Sequence, residues 1–285
     1  MASGFMKGTL ILTIAGFVVK AIGSINWILL SRVLGGEGIG IYQMAFPIYL
    51  LLLQVSSAGV PIAISILTAE RLALVDFKGA KRVFNISFTL LTITGLIASL
   101  AMYFGADWLI SSGFIKESRA YDSIIALAPA VFFVTLISCF RGYIQGYEKM
   151  TPTAISQIVE QLLRVVVMLG AAAMLLPYGL EAAAGGASLG AGVGAIGALF
   201  VLLFFYWKLP KAPANGLALY DGPAESTSSV LMRLFKLAIP ISLASIMLPL
   251  VANLDLFIVP RRLKVAGFTT AQATERFGYL TGMAV

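Results

Sequence analysis

The sequence predicts an all-α polytopic membrane protein: a six-helix N-terminal lobe followed by the start of a parallel-repeat second lobe. Three observations predict it. Hydrophobic residues make up 59% of the 285 and charged residues only 12%, at a mean hydropathy of +0.95, whereas a soluble domain carries about a quarter charged residues. No soluble fold of this size can hide that much apolar surface. Stretches without Asp, Glu, Lys or Arg recur along the chain, at about the 20 residues needed to cross a bilayer core. A single Pro/Gly/Ser-rich segment, Leu209 to Ser229, then separates six such spans from the rest of the chain.

The spans come in order. Gly8 to Ser31 is apolar but carries Lys20 in its middle. Ile39 to Ala69, Val83 to Ala106 and Ser123 to Phe140 are charge-free. Met150 to Leu176 is interrupted by Glu160 and Arg164, and Ala182 to Trp207 and Leu237 to Leu254 are again charge-free. That makes seven spans, and the chain reaches Val285 inside what reads as the start of an eighth. The domains predicted are a six-helix lobe at 1–208, a cytoplasmic linker at 209–230 and the start of a second lobe at 231–285. Arg71 to Arg82 reads as a short interfacial helix.

Orientation comes from the basic residues, since Lys and Arg favour cytoplasmic loops. With the N-terminus inside, the inner set is Lys7, Arg71, Lys78, Lys81, Arg82, Arg141, Lys149, Lys208, Lys211, Arg233 and Lys236, eleven in all. The outer set is Arg32, Lys116, Arg119, Arg261, Arg262, Lys264 and Arg276, seven in all. The bias predicts an inside N-terminus in a bacterial cytoplasmic membrane. The net charge of +7 does not point to nucleic acid, because the basic residues are scattered rather than gathered into a stripe.

Composition also removes function classes. With no histidine and one cysteine, Ser-His-Asp and Cys-His nucleophile systems, His-based metal sites and internal disulfides are excluded. Cys139 reads as a small buried hydrophobe. Gly192-Val-Gly194-Ala-Ile-Gly197 fits a dinucleotide fingerprint, but it lies inside a charge-free span rather than at a strand-to-helix turn. Gly186, Gly190 and Gly194 instead form a small-residue face for close helix packing. No Gly-Lys pair occurs, so there is no nucleotide-phosphate loop, and neither an enzyme nor a cofactor is expected.

The informative residues are the charges inside spans, each worth roughly 3 kcal/mol or more of insertion penalty at the centre of a lone helix. Glu160 and Arg164 stand four apart and can pair on one helix face. Lys20 has no charged partner on its own helix. At ~1.5 Å rise per residue, Lys20 lies roughly 18 Å from the start of its span and Arg164 roughly 20 Å from the start of its own, so both approach the midplane. A cavity between the first and fifth spans lined this way is net cationic and suits an anionic ligand. Pro47, Pro61, Pro129, Pro240 and Pro249 lie within or at the edges of spans and permit kinks. A shift of 229 residues pairs Lys7 with Lys236, Asn26 with Asp255 and Arg32 with Arg261, as a parallel two-lobe transporter repeat requires.

The run FRGYIQGYEKMTPTAISQIVEQLLRV, Phe140 to Val165, resembles the stage V sporulation protein B-like branch of the multidrug/oligosaccharidyl-lipid/polysaccharide exporter superfamily. LLSRVLGGEGIGIYQMAFPIY, SSAGVPIAIS and DLFIVPRRL agree with it in order. The resemblance implies a MATE-like fold and a flippase for an undecaprenyl-pyrophosphate-linked cell-wall or polysaccharide precursor, working by alternating access. Its partners would be that anionic lipid-linked glycan, the surrounding membrane lipids and a coupling ion. The resemblance implies a cationic cavity gripping the pyrophosphate headgroup, with Lys20 and Arg32 among its basic residues; Glu160 and Arg164, read from the charges inside spans, and Arg261, read from the repeat, complete the expected substrate-binding set. Asn26 and Trp27 occupy the stretch where lipid II flippases carry further charges. Two other readings stay open: a drug/cation antiporter of the same superfamily, for which only Glu160 and Asp255 supply acid, and a non-transporting scaffold for wall or spore assembly.

Overall fold

The computed structural model describes residues 2–57, 59–210 and 225–283. Helix is the only regular structure among them, in the order α1 (Ala2–Ser57), α2 (Val60–Ala73), α3 (Phe77–Ser111), α4 (Tyr121–Gly146), α5 (Thr151–Leu175), α6 (Leu180–Trp207), α7 (Thr227–Val265) and α8 (Thr270–Gly278). A one-turn 3₁₀ segment precedes α4 and a π-turn comes after α8. Residues 211–224, most of the expected linker, lie outside the described residues. Helix α7 already begins at Thr227, with the Ser226 hydroxyl accepting the Ser229 N–H.

Six helical runs are long and apolar enough to cross a membrane, and this is a multi-pass membrane protein. The first run, Met6–Ala73, has 68 residues, ~100 Å at helical rise against a ~30 Å core. It must cross twice, and the backbone shows how. Gly35 sits at φ 65, ψ −179, inside α1, a conformation that L side chains avoid. The chain turns there, separating a first limb (2–34) from a second (36–57). A second left-handed glycine, Gly59 at φ 70, starts α2. A Cβ there would lie 2.4 Å from the Ala238 carbonyl, so that turn also seats against α7.

The expected interfacial helix from Arg71 to Arg82 is not formed. Helix α2 runs to Ala73, Val75 turns left-handed at φ 57, and α3 starts two residues later. Asp76 fixes the restart by accepting the Gly79 N–H at 2.7 Å, as an N-cap residue does. The basic residues of this stretch therefore end one spanning helix and begin the next.

Helix α4 lies at the centre of the lobe, with Leu127, Val131, Ile137 and Cys139 fully buried. Small hydroxyls bond across its interfaces: Ser56 with Thr135 at 2.9 Å, and Ser99 to the Ala128 carbonyl at 2.8 Å. Such bonds and close small-residue contacts hold helices together where lipid removes the hydrophobic drive. The α5–α6 seam is the clearest case. A Cβ on Gly190 would stand 2.6 Å from the Arg164 carbonyl, and one on Gly194 2.6 Å from that of Glu160. The expected small-residue face is therefore the surface on which α6 meets α5. Of the prolines, Pro61 sits in the first turn of α2 rather than at a kink, while Pro47, Pro129, Pro240 and Pro249 lie inside helices.

Candidate functional site

Glu160 is the centre of an intramembrane ion cluster. Its two carboxylate oxygens accept separate guanidinium groups, Arg164 Nη2 at 2.8 Å and Arg141 Nη2 at 2.8 Å. The Arg164 contact is the i, i+4 pair read from the sequence. The Arg141 contact is new. Arg141 lies on α4 five residues before its end at Gly146, and its Nε also donates to Ser156 at 3.1 Å. An arginine counted among the inner loop charges thus belongs to the cluster, which reduces the inner set to ten against seven.

The surroundings are polar on a buried scale. Tyr42 and Tyr49 on the second limb of α1 are 3% and 2% exposed, and both lie within electrostatic reach of Arg164. They belong to a run of ring contacts, Trp27 to Tyr42 at 5.8 Å, Tyr42 to Phe46 at 5.7 Å and Phe46 to Tyr49 at 5.6 Å. Asn26 on the first limb donates to the Met168 sulfur at 3.0 Å. Two buried atoms here have no partner among the described residues, Asn26 Oδ1 and Arg164 Nε, and such atoms carry a desolvation penalty unless something else satisfies them. The side chains remain partly open, 13% for Glu160, 17% for Arg141 and 23% for Arg164. One carboxylate between two guanidinium groups leaves a net single positive charge.

The first limb of α1 runs alongside α5. A Cβ on Gly8 would meet Met150, and one on Gly23 would meet Gln161; Asn26 meets Met168. That register sets Lys20 level with Glu160, within a turn of Arg164, as the matched depths predict. Lys20 is nevertheless exposed on the flank of the limb. It shares that flank with Thr13, Ser24 and Ser31, spaced seven, four and seven apart, which puts all of them on one helical face. Their hydroxyls bond backbone carbonyls of their own helix, for instance Ser24 to Lys20 at 3.1 Å.

The other named residues lie elsewhere. Arg32 is exposed near the end of the first limb. Arg261 donates to the Gly113 carbonyl at 2.9 Å and lies 3.5 Å over the Phe257 ring, tying α7 to the α3–α4 loop. Asp255 is exposed. The buried polar residue of α7 is Asn253, donating to the Pro47 and Pro249 carbonyls at 2.9 and 2.7 Å. Asn26 and Asp255, paired by the 229-residue shift, therefore have unlike surroundings.

Residues 5–272 match the family described as polysaccharide biosynthesis protein. The chain belongs to this family. Among curated relatives in Bacillus subtilis (strain 168), it is 32% identical over 287 residues to Stage V sporulation protein B, covering 99% of this chain and 54% of that protein. It is 27% identical over 267 residues to Lipid II flippase MurJ, covering 90% and 49%. This polysaccharide biosynthesis family member thus spans about half the length of the curated relatives it matches. The helices of solved transporters take the same path. The MATE multidrug transporter DinF-BH superposes at a TM-score of 0.72, with 17% identity over 99% of this chain and 60% of that one. A MOP superfamily transporter from Pyrococcus furiosus superposes at 0.67, with 17% identity over 95% and 62%. The all-α, MATE-like fold expected from the sequence is therefore present.

Proposed function

We propose that the full protein to which this chain contributes its first lobe is a flippase for an undecaprenyl-pyrophosphate-linked cell-wall or polysaccharide precursor, acting by alternating access. The observation that carries the reading is the cluster of Arg141, Glu160 and Arg164, net cationic at depth and level with Lys20, in a chain of the polysaccharide biosynthesis family. A pyrophosphate loses hydration on entering the membrane. Guanidinium and ammonium groups replace that hydration, and arginine does so through a planar fork of donors. We assign Lys20 and Arg164 to the substrate path, Arg141 and Glu160 to holding Arg164 in place, and Arg32 and Arg261 to its outer end, with the N-terminus inside.

The antiporter reading needs an acid free to bind a cation within the cluster; Asp255, the other acid, is exposed on α7. Glu160 already holds two guanidinium ions, so a coupling cation there competes with fixed positive charge. Export of an anion is also downhill in an inside-negative cell, by roughly 2.3 kcal/mol per charge per 100 mV.

The test is outward appearance of labelled lipid-linked precursor in vesicles holding the full-length protein. Lys20→Ala and Arg164→Ala each lower the flipping rate at least tenfold with folding retained, and Lys20→Arg preserves it. Full activity in both alanine variants sinks the cationic path. Orientation is tested separately: cysteines at Ser112 label from outside intact cells, and at Asn215 they do not. The opposite pattern inverts the topology.

A further inference from the structure

A cavity of about 980 Å³ opens where the start of α3, the ends of α4 and α6 and the start of α7 meet. It lies at the opposite end of α4 from the 3₁₀ turn and apart from the Glu160 cluster. Its volume falls in the range of small-ligand sites, about 300–1,000 Å³. The charges lining it are unbalanced. Arg71 pairs with both lining acids, Asp76 at 3.3 Å and Glu225, and Glu225 also takes Arg233. Lys78, Lys81 and Arg82 line the same cavity, and no carboxylate of the described residues pairs with them. Lys81 donates to the Tyr206 hydroxyl and stands over the Phe84 and Tyr206 rings at 5.0 and 4.7 Å. Arg82 donates to Thr227 at 3.3 Å. Both cations are held by neutral groups, so their charge remains available.

The rest of the lining identifies the level in the membrane. Tyr143, Tyr147, Tyr206 and Trp207 surround the cations, and tyrosine and tryptophan collect where acyl chains give way to headgroups. Val83, Leu209 and Val230 complete the wall. A soluble phosphate compound needs only the cations; an amphiphile needs the apolar and aromatic wall beside them as well.

We propose that this cavity binds the phosphate headgroup of an anionic glycerophospholipid of the cytoplasmic leaflet. The phosphate lies among Lys78, Lys81 and Arg82, and the glycerol and upper acyl chain lie against the tyrosines and Trp207. The leaflet rests on the inside N-terminus proposed above; the binding chemistry does not. The bound lipid bridges α3 to α7 and so fastens the start of the second lobe to the first.

Trp207 reports on the site directly. Full-length protein with Trp27→Phe and Trp108→Phe, in which Trp207 is left as the reporting tryptophan, is reconstituted in phosphatidylcholine. Phosphatidylglycerol brominated near the head of one acyl chain is then titrated in. Quenching is saturable, whereas brominated phosphatidylcholine quenches weakly and without saturation. Lys78→Gln and Arg82→Gln each weaken the apparent affinity about fivefold, the factor that corresponds to ~1 kcal/mol per charge. Arg82→Lys retains it, and Lys7→Gln with Lys149→Gln, basic residues outside the cavity, leaves it unchanged. Equal quenching by both brominated lipids overturns the proposal. So does displacement of the lipid by glycerol phosphate at matched concentration, which would make the site one for a soluble anion. So does quenching that appears only when residues 211–224 are replaced by a Gly-Ser segment, which would mean the chain itself fills the cavity. Flipping lost in Lys20→Ala with quenching intact separates this site from the transport path.

Discussion

At the scale of single residues, the Glu160 carboxylate decides the stability of the lobe's interior. It holds two guanidinium groups at 2.8 Å while only 13% exposed. Removing it leaves two like charges facing each other in a medium that solvates them poorly. Breaking a buried pair by deleting one partner costs about 3–5 kcal/mol, and the residual exposure places this case at the lower end. Glu160→Ala should therefore lower the thermal midpoint in detergent more than Arg141→Met does, because the latter leaves the Arg164 pair intact. Glu160→Ala with Arg141→Met should recover part of the loss. An equal midpoint for Glu160→Ala and wild type would show the cluster to be stabilised by water instead. The pair of Glu160 with Arg164 is legible in the sequence because four residues on a helix make neighbours. Arg141 is not, since its partner lies across a turn on another helix, and no periodicity in one dimension records that contact. Tyr42 and Tyr49 give no signal, being aromatic residues in an apolar run.

At the scale of elements, the glycine face of α6 sets where the backbone that carries Glu160 and Arg164 lies. Gly190 and Gly194 meet the backbone carbonyls of Arg164 and Glu160, and a Cβ on Gly194 would also stand 3.2 Å from the Arg164 Cβ. Backbone cannot yield as a side-chain tip does, so a β-branched residue at either position must push α5 aside. Gly194→Val should cost about 1–3 kcal/mol as overpacking and shift α5 enough to impair flipping. Gly197→Ala meets side chains rather than backbone, crowding the end of Leu163 and touching Val159 at 3.7 Å, and should be tolerated. Gly170→Ala, with nothing within 4 Å, should be neutral or stabilise α5 by about 0.5–1 kcal/mol. Thermal midpoints and flipping rates of the three variants check the order; a Gly194→Val protein as stable as Gly170→Ala contradicts it. Charge-free stretches reveal the spans because the bilayer forbids charge at fixed length. They do not reveal that Gly35 and Gly59 join two crossings and α2 into one bent run. Arg71 to Arg82 misleads for a related reason: composition marks the interface, but the left-handed Val75 and the Asp76 cap mark the turn.

At the scale of the whole molecule, two polar seams join the first lobe to α7 and α8, one at each end. In one, Glu117 accepts Arg119 at 2.8 and 2.9 Å and Thr274 of α8 at 3.0 Å, while Arg119 reaches Glu37 at 2.8 Å. In the other, Glu225 takes Arg71, Arg233 and Ser229, and Arg233 also reaches Glu70. The alternating access proposed above needs such seams to open in turn, and hydrogen bonds and ion pairs can be exchanged for bonds to water as a large apolar contact cannot. Burial alone would raise both carboxyls. The hydrogen bonds from Arg119 and Thr274 to Glu117, and from Ser229 and Arg71 to Glu225, outweigh it, so both titrate below the ordinary glutamate value of 4.5. A carboxyl depressed on folding contributes stability that is fully present above that value and is lost as pH falls through the depressed one. Both seams should therefore hold from neutral pH down to about 4.5 and loosen below it. Spin labels at Ser112 and Gln272 across one seam, and at Ala73 and Ser228 across the other, read the separation by distance measurement in nanodiscs of the full-length protein. Acid should broaden both distributions. Glu117→Gln should remove the acid response of the first pair only, and Glu225→Gln that of the second only, since each carboxyl acts on its own seam. Distances that stay fixed well below the ordinary glutamate value would show that the lobes are held by apolar packing, and a response abolished at both seams by either variant would show that they open together.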